Sequence, residues 1–105
     1  MHIAICDDNI ADRKQTERLL GRESDRRAKT DGVLYIDSYG KQESVLSAPM
    51  LYDMFFIDMV FDVPSAASDI VKALISAGVT SPIVMLNSVI DYRKDTYLTS
   101  LEQVY

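Results

Sequence analysis

Three aspartates stand where carboxylates could do chemistry together. Asp7 and Asp8 follow the apolar run 3–6, and Asp58 ends the apolar run 54–57. Crowded carboxylates repel one another, so at least one is driven toward protonation unless a cation relieves the repulsion. Mg²⁺ suits this role because it takes one or two carboxylates together with waters and phosphate oxygens. A carboxylate beside such an ion can attack phosphorus and form an acyl phosphate. This chemistry predicts Asp7 and Asp8 as metal ligands and Asp58 as the nucleophile.

Two further polar residues, Asn87 and Ser88, follow the apolar run 83–86. Their amide and hydroxyl groups could hydrogen-bond a phosphoryl group, but they are equally suited to cap the next helix. The run 7–9 also fits a polar turn that caps a helix. Asp58 resists that explanation, because an acid at the end of an apolar strand needs a partner or exposure to solvent.

The elements that would position these residues alternate between strands and helices. Asn9 resembles a helix N-cap, and Ser68 resembles another, with Gly78 where that second helix should end. The residues Ile90, Tyr97, Leu98 and Leu101 share one face of a predicted last helix. We predict strands over 2–6, 33–39, 54–58 and 83–86, and helices over 11–27, 41–47 and 68–77.

This alternation predicts one parallel sheet that is built by right-handed crossovers and covered by helices on both faces. The continuous apolar runs fit strands that are buried on both sides. In such sheets the ligand chemistry collects outside the carboxyl ends of the strands. Acids about 50 positions apart in sequence are therefore expected to meet at one edge of the sheet.

Length and charge narrow the function further. The 105 residues fit a single domain over 1–105, and the net charge of −5 disfavours direct binding to nucleic acid. No run approaches the roughly 18 apolar residues of a membrane span. The N-terminus lacks the basic leader of a signal peptide, so we expect a cytoplasmic protein. Cys6, the only cysteine, is expected to be a buried small hydrophobe.

Three segments resemble the first, third and fourth strands of response-regulator receiver domains: 3–9, 52–58 and 82–88. The resemblance spans nearly the whole chain and implies a flavodoxin-like, doubly wound parallel sheet. It implies Mg²⁺ as cofactor and a histidine kinase as partner. By position, Asp7 and Asp8 match the acidic pair and Asp58 the phosphoacceptor, while Val60 matches the residue whose backbone carbonyl completes the metal site.

The sequence departs from the family pattern in several places. Asp62 stands where the family usually has Pro, and the loop that follows has a two-residue insertion without the usual Gly. Asn87 replaces the family's Ser or Thr. No lysine occupies the place after the fifth strand, since Val104 and Tyr105 match only that strand's first residues. The last strand and helix of the fold are thus expected to be missing, which leaves a sheet edge open to a homodimer or a strand-exchanged dimer.

The resemblance implies a role in phosphorelay signalling, with Asp58 accepting the phosphoryl group, and a protein that is not an enzyme. The third-strand segment also resembles regulators whose output domain binds DNA, which implies a role in transcription regulation for a longer protein. The alternative is a degenerate pseudo-receiver that acts as an interaction module independent of phosphorylation. A small enzyme of phosphate chemistry is disfavoured, because no general acid or base other than the carboxylates is visible.

Overall fold

A four-stranded parallel sheet forms the centre of the molecule. The computed structural model describes residues 1–27, 32–62, 66–86 and 91–105. The strand order is β2-β1-β3-β4, and all neighbouring pairs are parallel. The strands are β1 His2–Cys6, β2 Tyr35–Tyr39, β3 Met54–Asp58 and β4 Ile83–Leu86. The predicted sheet is confirmed, although β2 begins two residues later than expected.

Side chains of β1 and β3 alternate between two covered faces. Ile3 and Ile5 lie on the face of Met54 and Phe56, because Ile3 pairs with Met54 and Ile5 with Phe56. The opposite face carries the main core, where the expected buried thiol of Cys6 is also found and where burial raises the pKa of that thiol. The central members of that core are Ala4, Phe55, Ile57, Ile70, Val71, Leu74, Ile83 and Leu98.

The first helix, α1 Ile10–Arg27, begins one residue before the predicted start and directly after the predicted N-cap Asn9. The Asn9 side-chain oxygen accepts the backbone N–H of Asp12 at 3.0 Å, which satisfies one of the free donors of the first turn. None of the residues of α1 is buried, so the helix lies on the sheet as a largely exposed cover. The next helix, α2 Gln42–Val45, is followed by a 3₁₀ turn at Pro49–Leu51.

The third helix, α3 Ala67–Ser76, starts earlier than the sequence suggested. Ser68 is not its N-cap, because the helix begins after Ala66, whose backbone N–H donates to the Asp69 carboxylate at 3.1 Å. The end of α3 is as predicted. Gly78 has a φ of 94°, and its N–H and that of Val79 donate to carbonyls of the last turn.

The predicted last helix is wrong as a continuous element. A 3₁₀ turn at Tyr92–Lys94 is followed by the short helix α4 Thr96–Thr99. Asp95 separates the two, because its backbone is extended and its carboxylate accepts the N–H groups of Tyr97 and Leu98. Ile90, which we placed on the same helical face, lies outside the described residues. Leu98, another residue of that predicted face, is buried.

The chain returns to the sheet at its last residues. Val104 forms a parallel bridge with Ile83, and Tyr105 exchanges backbone hydrogen bonds with β4 at 2.8 Å. These residues therefore begin a fifth strand beside β4, as the sequence predicted. The order β2-β1-β3-β4 followed by this strand is a doubly wound α/β arrangement. Within the described residues, no helix combines the length and the apolar character that crossing a bilayer requires.

Candidate functional site

Asp7 and Asp58 lie beside each other at the carboxyl edge of the sheet. β1 and β3 are neighbours, and Cys6 pairs with Ile57, so the next residue of each strand is an aspartate in the same row. Both acids are almost fully buried, with exposed fractions of 3% for Asp7 and 5% for Asp58. Strand alternation directs both to the face that α1 covers.

A pocket of about 260 Å³ joins the two acids to α1. On the side of the sheet it is lined by the two acids and by Leu86 at the end of β4. The helix contributes the residues Asp12, Gln15, Thr16 and Leu19. The site is thus an acidic cleft between a helix and the strand ends, with room for a small ligand.

The carboxyl group of Asp7 is held in an unfavourable electrostatic setting. Burial raises its pKa above the ordinary value, and the negative charges of Asp58, Asp12 and Asp8 raise it further. The backbone N–H of Asn9 donates to Asp7 Oδ1 at 2.9 Å and opposes these effects. A cation in the cleft would relieve this repulsion.

A tight turn after β3 orients Asp58. The backbone N–H of Val60 donates to Asp58 Oδ1 at 2.8 Å, and that of Phe61 donates to the Asp58 carbonyl at 3.1 Å. The N–H of Met59 donates to the Leu86 carbonyl at 3.2 Å and ties the turn to β4. Val60, which the resemblance assigns to the metal site, is therefore in direct contact with the proposed acceptor.

The remaining predicted site residues are placed less centrally. Asp8 is exposed and stands outside the set of residues that line the pocket, although its charge acts on Asp7. In the described parts of the chain, no three His, Cys, Asp or Glu side chains are grouped so that they could hold a metal ion together. Mg²⁺ does not require three, because it keeps several waters and takes one or two carboxylates. Asn87 and Ser88 lie outside the described residues.

The α1 wall of the pocket was missed by the sequence reasoning. Asp12, Gln15, Thr16 and Leu19 follow the spacing i, i+3, i+4, i+7, which places them on one helical face. The same spacing is used to find apolar core stripes, but here most of its members are polar. A polar stripe on the helix after an acidic strand end was the available signal.

Two further acids, one on each side of β3, have structural partners. Asp53 is exposed, and its carboxylate accepts the backbone N–H of His2 at 2.8 Å. Asp62 is half-buried, and its carboxylate accepts the N–H of Gln42 at 2.9 Å. Asp62 also has a φ of 57°, a left-handed conformation that Asp adopts more readily than most residues. The loop after the acceptor is therefore tied to α2.

Comparison with known proteins supports this fold through structure alone, since no family model and no curated protein matches the chain. The N-terminal domain of a response regulator/sensory box/GGDEF three-domain protein from Carboxydothermus hydrogenoformans superposes with a TM-score of 0.75. The match has 15% identity and covers 100% of this chain and 78% of that one. The receiver domain of the Francisella response regulator 1452 gives a TM-score of 0.61 at 12% identity, covering 91% of this chain and 73% of that one.

A third similar structure is a fusion that contains a yeast Spc42 trimeric coiled coil. Its TM-score is 0.66 at 16% identity, with 86% of this chain covered. The chain spans 56% of the length of that fusion. The likenesses to the two response-regulator structures show that this chain has the receiver-domain fold.

Proposed function

We propose that this domain is a phosphoacceptor in signal transduction, taking a phosphoryl group on Asp58 from a histidine kinase in the presence of Mg²⁺. One observation carries the proposal. Asp58 is buried at the end of a central strand, yet it faces a pocket that it shares with Asp7 of the neighbouring strand. A buried pair of carboxylates is costly for folding, so its presence in a pocket favours a functional role.

The residues present fit a Mg²⁺ ion. Asp7 and Asp58 would supply carboxylate oxygens, Val60 its backbone carbonyl, and the exposed Asp8 would bind through a water. Burial is the largest cause of the raised pKa of Asp7, and the negative charges of neighbouring acids raise it further. Those charges support this assignment, because they would favour a divalent cation. When bound, Mg²⁺ offsets the negative charge of the phosphoryl oxygens.

In the proposed reaction, an Asp58 carboxylate oxygen attacks the phosphorus of a phosphohistidine. The bond between phosphorus and the imidazole nitrogen breaks, the nitrogen keeps the electron pair and takes a proton, and an acyl phosphate forms on Asp58. The N–H of Val60 on Oδ1 fixes the orientation of the attacking carboxylate. Asn87 and Ser88 remain candidates for contacts to the phosphoryl group.

The same proposal covers the setting of the domain. The domain would signal through its surface and would not turn over a substrate, as the receiver-domain fold supports. We include in this proposal a histidine kinase as the phosphoryl donor and a cytoplasmic location. We also include an output in transcription regulation and a homodimer or strand-exchanged dimer.

The test is phosphorylation with a labelled small phosphodonor. Incubation with radiolabelled acetyl phosphate and MgCl₂ should label the wild-type protein, and hydroxylamine should release the label, because it cleaves acyl phosphates. Asp58→Asn should abolish labelling. The matched control is Asp53→Asn, the same change at an exposed acid five positions earlier, which should label like wild type. An unlabelled wild-type protein, or equal labelling of the Asp58→Asn variant, would contradict the proposal.

A second candidate is the interaction module that keeps the fold without the switch. It is favoured by the exposure of Asp8, since the described residues then offer no group of three acids for a metal. This candidate predicts partner binding that is unchanged by phosphodonor, by Mg²⁺ and by Asp58→Asn. A change in partner affinity or oligomeric state on phosphorylation would rule it out.

A further inference from the structure

The backbone of Asp7 is held from two sides by other elements. Its N–H donates to the carbonyl of Tyr39, the last residue of β2, at 3.1 Å. Its carbonyl oxygen accepts a hydrogen bond from Nη1 of Arg13 at 3.3 Å. Arg13 reaches back to this carbonyl from the first turns of α1 and is half-buried. A shift of this peptide would move the Asp7 carboxylate, whose side chain is enclosed.

Gly40 makes room for the arginine. It directly follows β2. A Cβ at this position would lie 2.9 Å from Arg13 Nη1, which is closer than Cβ atoms in proteins approach other atoms. Gly40 does not have a positive φ, so its backbone conformation does not require glycine. The absence of a side chain at Gly40 therefore serves the close approach of the guanidinium to the backbone.

We propose that Arg13, seated against Gly40, is a positioning residue for Asp7 as a Mg²⁺ ligand. This inference rests on the metal site of the proposed function. Two effects of Arg13 have opposite signs. Its positive charge near the cleft opposes binding of a cation, whereas its hydrogen bond fixes the peptide that carries the ligand. Because partners that orient a metal ligand typically contribute 10- to 100-fold in affinity, positioning should outweigh repulsion from a half-exposed charge.

The experiment is a calorimetric titration of MgCl₂ into the folded protein. Arg13→Ala should weaken Mg²⁺ binding about tenfold, at the low end of that range because 3.3 Å is a long hydrogen bond. Gly40→Ala should weaken it similarly while keeping every charge, since the added methyl displaces the guanidinium. Arg22→Ala, which removes an exposed arginine from the same helix, is the matched control and should bind Mg²⁺ as well as wild type or slightly tighter.

Two further variants test the mechanism. Arg13→Lys should recover part of the affinity, because an ammonium can still donate to the Asp7 carbonyl. The double variant Arg13→Ala/Gly40→Ala should bind Mg²⁺ as well as Arg13→Ala alone, because the guanidinium that the added methyl would displace is already gone. Gly40→Ala keeps the test decisive if Arg13→Ala unfolds, because only the flexible end of a side chain has to move. Circular dichroism before each titration establishes folding.

The outcomes separate this inference from the proposed function. If the wild-type protein binds Mg²⁺ and the Arg13→Ala and Gly40→Ala variants bind it equally well or more tightly, the role of Arg13 is overturned. The proposed metal site is then unaffected. A wild-type protein that bound no Mg²⁺ would overturn the metal site, and the role of Arg13 with it. A large loss in Arg13→Ala with none in Gly40→Ala would also overturn the seating of Arg13 against Gly40.

Discussion

Two glycine-to-alanine substitutions should change stability in opposite directions. Gly78 follows α3 with a φ of 94°, and Gly21 lies inside α1. In both places the added methyl would meet no other part of the protein within 4 Å, apart from the neighbouring backbone, so neither substitution creates a clash. The difference is the backbone. Alanine at Gly78 must adopt a left-handed conformation, which costs about 1–2 kcal/mol. Alanine at Gly21 gains about 1 kcal/mol of helix propensity.

The expected changes are large enough to measure by thermal and urea denaturation. An unfolding entropy of about 2.1 cal/mol/K per residue gives about 220 cal/mol/K for this chain, so 1 kcal/mol corresponds to roughly 4–5 °C in Tm. Gly78→Ala should lower Tm by about 4–9 °C, and Gly21→Ala should raise it by about 4 °C. A neutral Gly78→Ala would show that α3 does not end in a left-handed residue. A destabilising Gly21→Ala would show that α1 packs closely at that position.

Two other predictions concern the electrostatics of the cleft. Because the pKa of Asp7 is raised in the folded state, its protonated form stabilises the fold below the ordinary carboxyl pKa, and this stability is lost as pH rises through the raised pKa. In EDTA, the Asp7→Asn variant should therefore be more stable than wild type at neutral pH, and this difference should vanish under acid conditions. Urea denaturation at a series of pH values measures the difference in stability. Equal stability of the two proteins at neutral pH would contradict the prediction. Asp12→Asn should lower the Asp7 pKa and weaken Mg²⁺ binding severalfold, whereas Asp25→Asn, an exposed acid on the same helix, should do neither. Carbon-detected NMR titration measures the pKa of the Asp7 carboxyl, and calorimetry measures the Mg²⁺ affinity. An Asp7 pKa that is unchanged in the Asp12→Asn variant would refute this coupling.

The sheet could be predicted from the sequence because its signals are local. The apolar runs at 54–57 and 83–86 end at polar residues, and alternation with helices leaves few arrangements other than a parallel sheet. The helix boundaries were predictable where backbone chemistry decides them, as at Asn9 and Gly78. Prediction failed at Asp95, whose carboxylate competes for backbone N–H groups and divides an apolar helical stripe into two short turns.

The candidate site divides in the same way. Asp7 and Asp58 were predictable, since each ends an apolar strand and strand ends gather at one edge. The exposure of Asp8 was not, because two adjacent residues at a strand end face opposite directions and sequence alone does not say which acid turns inward. The contact between Arg13 and Gly40 depends on how α1 lies over the end of β2. That placement is set by tertiary packing and leaves no local pattern.

The weak amphipathicity of α1 follows from the position of the two acids. Ile3 and Ile5 of β1 face α1, as does Asp7 directly after the strand, and in β3 Asp58 continues the same row. The helix therefore crosses an apolar sheet surface that becomes acidic at the carboxyl edge. An apolar stripe along the whole helix would bury both carboxylates without water or a cation, at a cost of several kcal/mol per charge. The polar residues of the pocket wall instead keep this end of the sheet open, so the same residues that interrupt the apolar stripe of α1 give the site access to a ligand.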